Sequence, residues 1–84
     1  MARGHALFKR WSKARSLLDP HAVVTVDVFA RHLMYGRQTI YNYIADELIP
    51  PLDGRYEHKP GKPGYWNKDT LEQGYEDLKR ELLQ

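Results

Sequence analysis

Cysteine is absent from these 84 residues, which excludes disulfides and thiolate metal sites as sources of stability or chemistry. No run approaches the roughly 18 apolar residues that cross a bilayer. The basic residues near Met1 precede no apolar stretch long enough for a secretory signal. A cytoplasmic protein without a membrane partner is therefore expected. Catalytic groupings are sparse as well. His5, His21, His32 and His58 are scattered, without the paired spacing of a zinc site. Ser12 and Ser16 have no evident base partner, and no glycine-rich loop cradles a phosphate. No enzyme, metal or cofactor is expected.

What is present suits one small folded domain spanning residues 1–84, with 42% hydrophobic and 12% aromatic residues. A chain of this length buries a thin core. Net charge is only +2, so its placement says more than its size. Arg3, Lys9, Arg10, Lys13 and Arg15 all precede the first acid, Asp19, whereas Asp69, Glu72, Glu76, Asp77 and Glu81 crowd the C-terminal stretch. Such asymmetry offers a positive surface to phosphate and turns a negative one away.

Along the chain, "HALFKRWSKARSLLDP" places Leu7, Trp11, Ala14 and Leu18 at helical spacing, with Asp19-Pro20 as a stop. Residues 1–20 thus read as a basic amphipathic helical extension. Its apolar stripe suits docking on the domain or self-association, and Trp11 suits a partner contact. "AVVTV" is a short strand or an extended lead-in, and Thr25 is placed to cap the helix "VDVFARHLM". Val26, Phe29 and Leu33 share one face of that helix while Asp27 and Arg31 point outward. After Met34-Tyr35-Gly36 a second helix starts at Arg37 and ends near Glu47. Two short helices so joined, over residues 25–47, make a helix-turn-helix, with Phe29 and Leu33 packing on Ile40 and Ile44.

Pro50 and Pro51 force the next segment into extended backbone. Asp53-Gly54, Pro60-Gly61 and Pro63-Gly64 are turn signals, so residues 52–66 read as a β-hairpin with Tyr56 opposite Tyr65 or Trp66. Leu71, Tyr75, Leu78 and Leu82 then define a closing amphipathic helix over 68–83, in which Gly74 lowers propensity by about 1 kcal/mol. The expected fold is mainly α with a small β-hairpin: a winged helix-turn-helix with an extra N-terminal helix and a C-terminal helix.

The stretches "RQTIYNYI", "LIPP" and the "YW" that leads into the last helix carry a family likeness. Over about residues 24–78 the chain resembles the compact winged-helix proteins of the phage excisionase and MerR-like group, which includes Cox-type directionality factors. It differs in having Met34-Tyr35-Gly36 at the turn and a hairpin richer in proline and poorer in arginine. The resemblance implies that the helix matching residues 37–45 enters the major groove and that the hairpin, the wing, reaches the neighbouring backbone or minor groove. It also implies several copies on adjacent DNA sites, bending the duplex and assisting an integrase.

The residues fit that role chemically. With Ile40 at the centre of the buried side, Gln38, Tyr41, Asn42 and Ala45 fall on the outer side, flanked by Arg37 and Thr39. Gln and Asn pair with adenine N6 and N7, and Arg with guanine O6 and N7. Tyr41 can reach a phosphate or a thymine methyl. Arg55, Lys59 and Lys62 on the wing are phosphate candidates, and Lys9, Arg10 and Lys13 can extend the footprint. Trp66, Tyr56 and Tyr65 read as core. The expected partners are double-stranded DNA and further copies of the chain, with an integrase as a third. A plain dimeric transcriptional regulator shares the same DNA chemistry. An adaptor that uses the scaffold for protein contacts alone is the alternative from another class.

Overall fold

Leu7, Trp11 and Ala14 lie on one face of α1 (Gly4–Ala14), and all three are buried. In the computed structural model, which describes residues 4–19 and 22–83, that stripe forms part of the central core. Trp11 meets Phe29 edge-on with centroids 5.4 Å apart and Tyr75 at 5.6 Å. Of the two expectations for this stripe, docking on the domain is the one observed, because α1 packs on both α2 (Val26–Leu33) and α4 (Lys68–Leu82). Trp11 and Leu7 are sealed inside, so neither is available to a partner. The helix also stops short of Asp19. The Ser16 hydroxyl donates to the Lys13 carbonyl at 3.1 Å, and Leu17 N–H turns back to Ala14 O at 2.9 Å. A side chain that competes for a helical carbonyl ends the ladder early. Pro20, the expected stop, lies outside the described residues, as does Arg3.

β1 (Val24–Thr25) leads directly into α2. The Thr25 hydroxyl accepts from Val28 N–H at 3.3 Å, satisfying one of the free amides at the helix start. Val26, Phe29, Ala30 and Leu33 are buried. Met34 closes the helix in the left-handed conformation, φ 62°, with its side chain 83% exposed. A non-glycine residue there is strained. Met34→Gly is expected to stabilise the fold by about 0.5–1 kcal/mol in chemical denaturation, since nothing apolar is lost.

β2 (Gly54–Arg55) and β3 (Gly64–Trp66) form the expected hairpin, but β1 adds to its other edge, giving a three-stranded antiparallel sheet in the order β1-β3-β2. The fold is thus a mixed one, with four helices and this small sheet among the described residues. Within the hairpin expected over residues 52–66, the first strand covers only Gly54–Arg55, and Tyr56 N–H makes one further bond to Pro63 O at 3.0 Å before the tip. Trp66 is fully buried against Phe29, centroids 5.2 Å apart, and its indole N–H donates to Pro50 O at 2.8 Å. Asp53 accepts from Asn67 N–H at 2.7 Å and so ties the start of the hairpin to the start of α4.

On α4, Leu71, Tyr75 and Leu78 face the core. The Tyr75 hydroxyl and Ser12 Oγ share a hydrogen bond of 2.5 Å. Arg15 donates to Glu72 at 2.6 Å and lies 4.1 Å over the Tyr75 ring; the hydrogen bond to the Glu72 carboxylate holds the guanidinium pKa above its ordinary value. Both partners are exposed enough that the pair contributes only about 0.2–1 kcal/mol. Gly74 has a packing reason that its helix position hides. A Cβ there would sit 2.6 Å from Pro50 Cδ and 2.7 Å from Cγ. Gly→Ala inside a helix ordinarily stabilises by about 1 kcal/mol. Here the expected sign reverses. Gly74→Ala should destabilise by about 1–3 kcal/mol through overpacking, measured as the shift in urea midpoint.

Candidate nucleic-acid interface

α3 (Arg37–Ala45) begins after Gly36, whose extended backbone caps it without a side-chain bond. Ile40 is its one buried residue, seated against the α2 side of the core. Ile44, Tyr41 and Tyr43 are half-buried against the same cluster. The placement of Tyr41 differs from the sequence expectation. Its ring packs on the core instead of standing fully outward, and Thr39 is half-buried too. The exposed row is therefore Gln38, Asn42 and Ala45, with Arg37 beside it. Gln38 Nε2 donates to Asn42 Oδ1 at 3.1 Å, so the two amides lie side by side on the surface.

The charges of α3 run against its dipole. Arg37 stands in the first turn, where the helix is already positive, while Asp46 and Glu47 follow its last turn. Asp27 offsets part of that cost by pairing with Arg37 Nε at 3.2 Å, joining the first turns of α2 and α3. The outcome is a helix whose N-terminal end attracts anions and whose C-terminal end repels them. α3 ends at Ala45, and Glu47 takes a left-handed φ of 63° before the chain extends through Pro50.

The hairpin holds its cations in place. Arg55 Nη1 donates to Lys62 O at 3.2 Å, Lys59 Nζ lies 4.5 Å over the Tyr56 ring, and Lys62 Nζ meets Glu57 at 3.5 Å. The register sets Gly54, not Tyr56, opposite Tyr65, and Tyr56 lies just past β2, yet the two tyrosine rings still meet with centroids 4.9 Å apart. Both rings are half-buried, so they support the hairpin while Trp66 alone among the three fills the core. Lys62 at φ 44° and Gly61 at φ 77° make the tight tip.

On α1 the three basic candidates part company. Lys9 and Lys13 are exposed, with no ion pair to any described residue. Arg10 is occupied. Its Nη1 donates to Leu33 O at 3.2 Å and Met34 O at 3.1 Å, and its guanidinium lies 4.4 Å over the Tyr35 ring. Tyr35 in turn packs on Tyr43 of α3, centroids 5.6 Å apart. Burial, then the hydrogen bond with Tyr43, raises the Tyr35 phenol above its ordinary value, with Arg10 pulling the other way. Neither this cluster nor the Asp27–Arg37 pair was expected from the sequence. The only hint was an aromatic residue within the interhelical turn.

Three basic or polar groups thus sit on α3, the β2–β3 hairpin and α1. α2 is their common support, since α1, α3 and β3 all pack against it. Among the described residues no cluster of His, Cys, Asp or Glu has a metal-holding arrangement, and no helix is long and apolar enough to cross a membrane. No protein-family model, curated protein or solved structure matches the chain.

Proposed function

We propose that this chain is a winged helix-turn-helix protein that binds double-stranded DNA in a sequence-specific way, with α3 as recognition helix and the β2–β3 hairpin as wing. The observation that carries the reading is the Gln38–Asn42 pair: two adjacent uncharged amides, exposed on a helix whose opposite face is anchored by Ile40. Amides on such a surface match the donor and acceptor pattern of adenine in the major groove. Arg37 and the positive end of α3 favour phosphate next to that pair. The anchored cations Arg55, Lys59 and Lys62 suit a second phosphate contact with little side-chain ordering on binding.

The role follows from the resemblance to excisionases: a recombination directionality factor whose copies occupy adjacent sites, bend DNA and assist an integrase, repressing transcription from the same sites. A net charge of +2 gives one copy a weak hold, so repeated sites are part of the reading. With Leu7 and Trp11 buried, contacts between neighbouring copies fall to outer residues. Leu17 and Leu83 are exposed apolar ones. A footprint on DNA flanking the gene, at two salt concentrations, tests the role. Protection over several evenly spaced sites, weakening at the higher salt, is the expected result. One palindromic site would replace this role with that of a simple dimeric regulator. No protection at low salt would remove DNA from the account.

A further inference from the structure

Arg10 looks from the sequence like one more phosphate ligand, yet its guanidinium, though on the surface, is already bonded to the protein itself. One nitrogen donates to the last carbonyls of α2, Leu33 O and Met34 O, while the plane covers Tyr35. These are the residues that turn the chain from α2 into α3. The turn is strained at Met34, φ 62°. Within the turn itself, Met34 N–H bonds Arg31 O at 3.1 Å and also Ala30 O, and Tyr35 N–H bonds Ala30 O at 2.9 Å. Tyr35 passes the restraint on to Tyr43, which belongs to α3. A cation on α1 thus reaches across to hold the C-terminal end of α2, where a positive charge is favoured. We infer that Arg10 is a positioning residue for α3: α1 acts as a clamp that fixes the α2–α3 turn, and through it the aim of Gln38 and Asn42.

This inference rests on the proposed reading only for its effect on DNA; the clamp itself is a property of the free protein. Arg and Lys separate the two roles. A phosphate ligand tolerates Arg10→Lys because the charge remains, whereas a clamp needs the planar fork and the stacked face that Lys lacks.

Amide hydrogen exchange on the full chain tests the clamp without DNA. In Arg10→Lys and in Arg10→Ala, exchange at Met34, Tyr35 and Ile40, whose amides are hydrogen-bonded, is expected to rise at least tenfold, while α4 amides change little. Should Arg10→Ala unfold, adding Met34→Gly relieves the strained turn and the comparison is made against Met34→Gly alone. Unchanged exchange at the turn in both variants overturns the clamp, whatever the protein binds. The second arm uses a DNA duplex selected by the wild-type chain from a random pool. Both Arg10 variants should lose at least tenfold in preference for that duplex over a scrambled one, with the dependence of log K on log salt unaltered. A salt slope smaller by about 0.9 in Arg10→Ala, restored in Arg10→Lys, would make Arg10 a phosphate ligand instead. Failure of the pool to yield any bound duplex would sink the DNA reading and leave the exchange result to decide the clamp.

Discussion

Trp11→Ala is expected to remove most of the stability of the chain. The indole is buried among Phe29 of α2, Tyr75 of α4 and the Leu7 face of its own helix. Truncating a buried tryptophan costs about 3–5 kcal/mol, part transfer and part cavity. Domains have only about 5–15 kcal/mol in total, and small ones lie toward the low end. The thermal midpoint should fall by more than about 12 °C. Leu17→Ala, three residues past the end of α1 and exposed, should stay within about 0.5 kcal/mol of the parent. A midpoint for Trp11→Ala within a few degrees of the parent would return α1 to the status of an appendage. Deleting residues 1–14 carries the same expectation more severely, since Leu7, Trp11 and Ala14 go together.

The partial legibility of this fold in its sequence has physical causes. Helices came through because their stripes are long. Leu71, Tyr75 and Leu78 on α4, or Val26, Phe29 and Leu33 on α2, repeat often enough for a period of 3.6 to stand out. Caps were equally local: Thr25 precedes its helix and bonds within it. The third strand was ambiguous because two residues cannot show a period, and β1 becomes a strand only by meeting β3. Gly74 read as a weakness, and only the approach of Pro50 from another segment explains it.

The candidate site was legible to a similar degree. Helical geometry placed Gln38 and Asn42 outward with Ile40 inward, and their exposure agrees. Tyr41 departs from a fully outward placement because a ring 100° from the buried centre of a helix can still fold onto the core. Arg10 and Asp27 were unreadable for another reason. Their partners are distant in sequence, Arg10 reaching forward 23 and 24 positions to the carbonyls of Leu33 and Met34. Side chains that act across elements leave no pattern in one chain.

The second large effect concerns Gln38 and Asn42 together. Both are exposed, and among the described residues their side chains hydrogen-bond to each other alone, so replacing both should leave folding within about 0.5 kcal/mol. On DNA the consequence is larger. A well-made bidentate contact from an amide to adenine is worth about 1–3 kcal/mol of discrimination. Losing two should lower affinity for the preferred sequence by at least about thirtyfold, and toward ten-thousandfold if each is fully formed. Affinity for a scrambled duplex should hardly move, because phosphate contacts supply it.

The central claim is therefore tested most directly by titrating the selected duplex and its scrambled counterpart, across several salt concentrations, with the parent chain and with Gln38→Ala/Asn42→Ala. The account requires salt-dependent binding by the parent with a clear preference for the selected duplex. It requires the double variant to keep the salt slope and lose the preference. A double variant that discriminates as well as its parent would contradict α3 as the reading element, and a parent that binds neither duplex at low salt would contradict DNA binding itself.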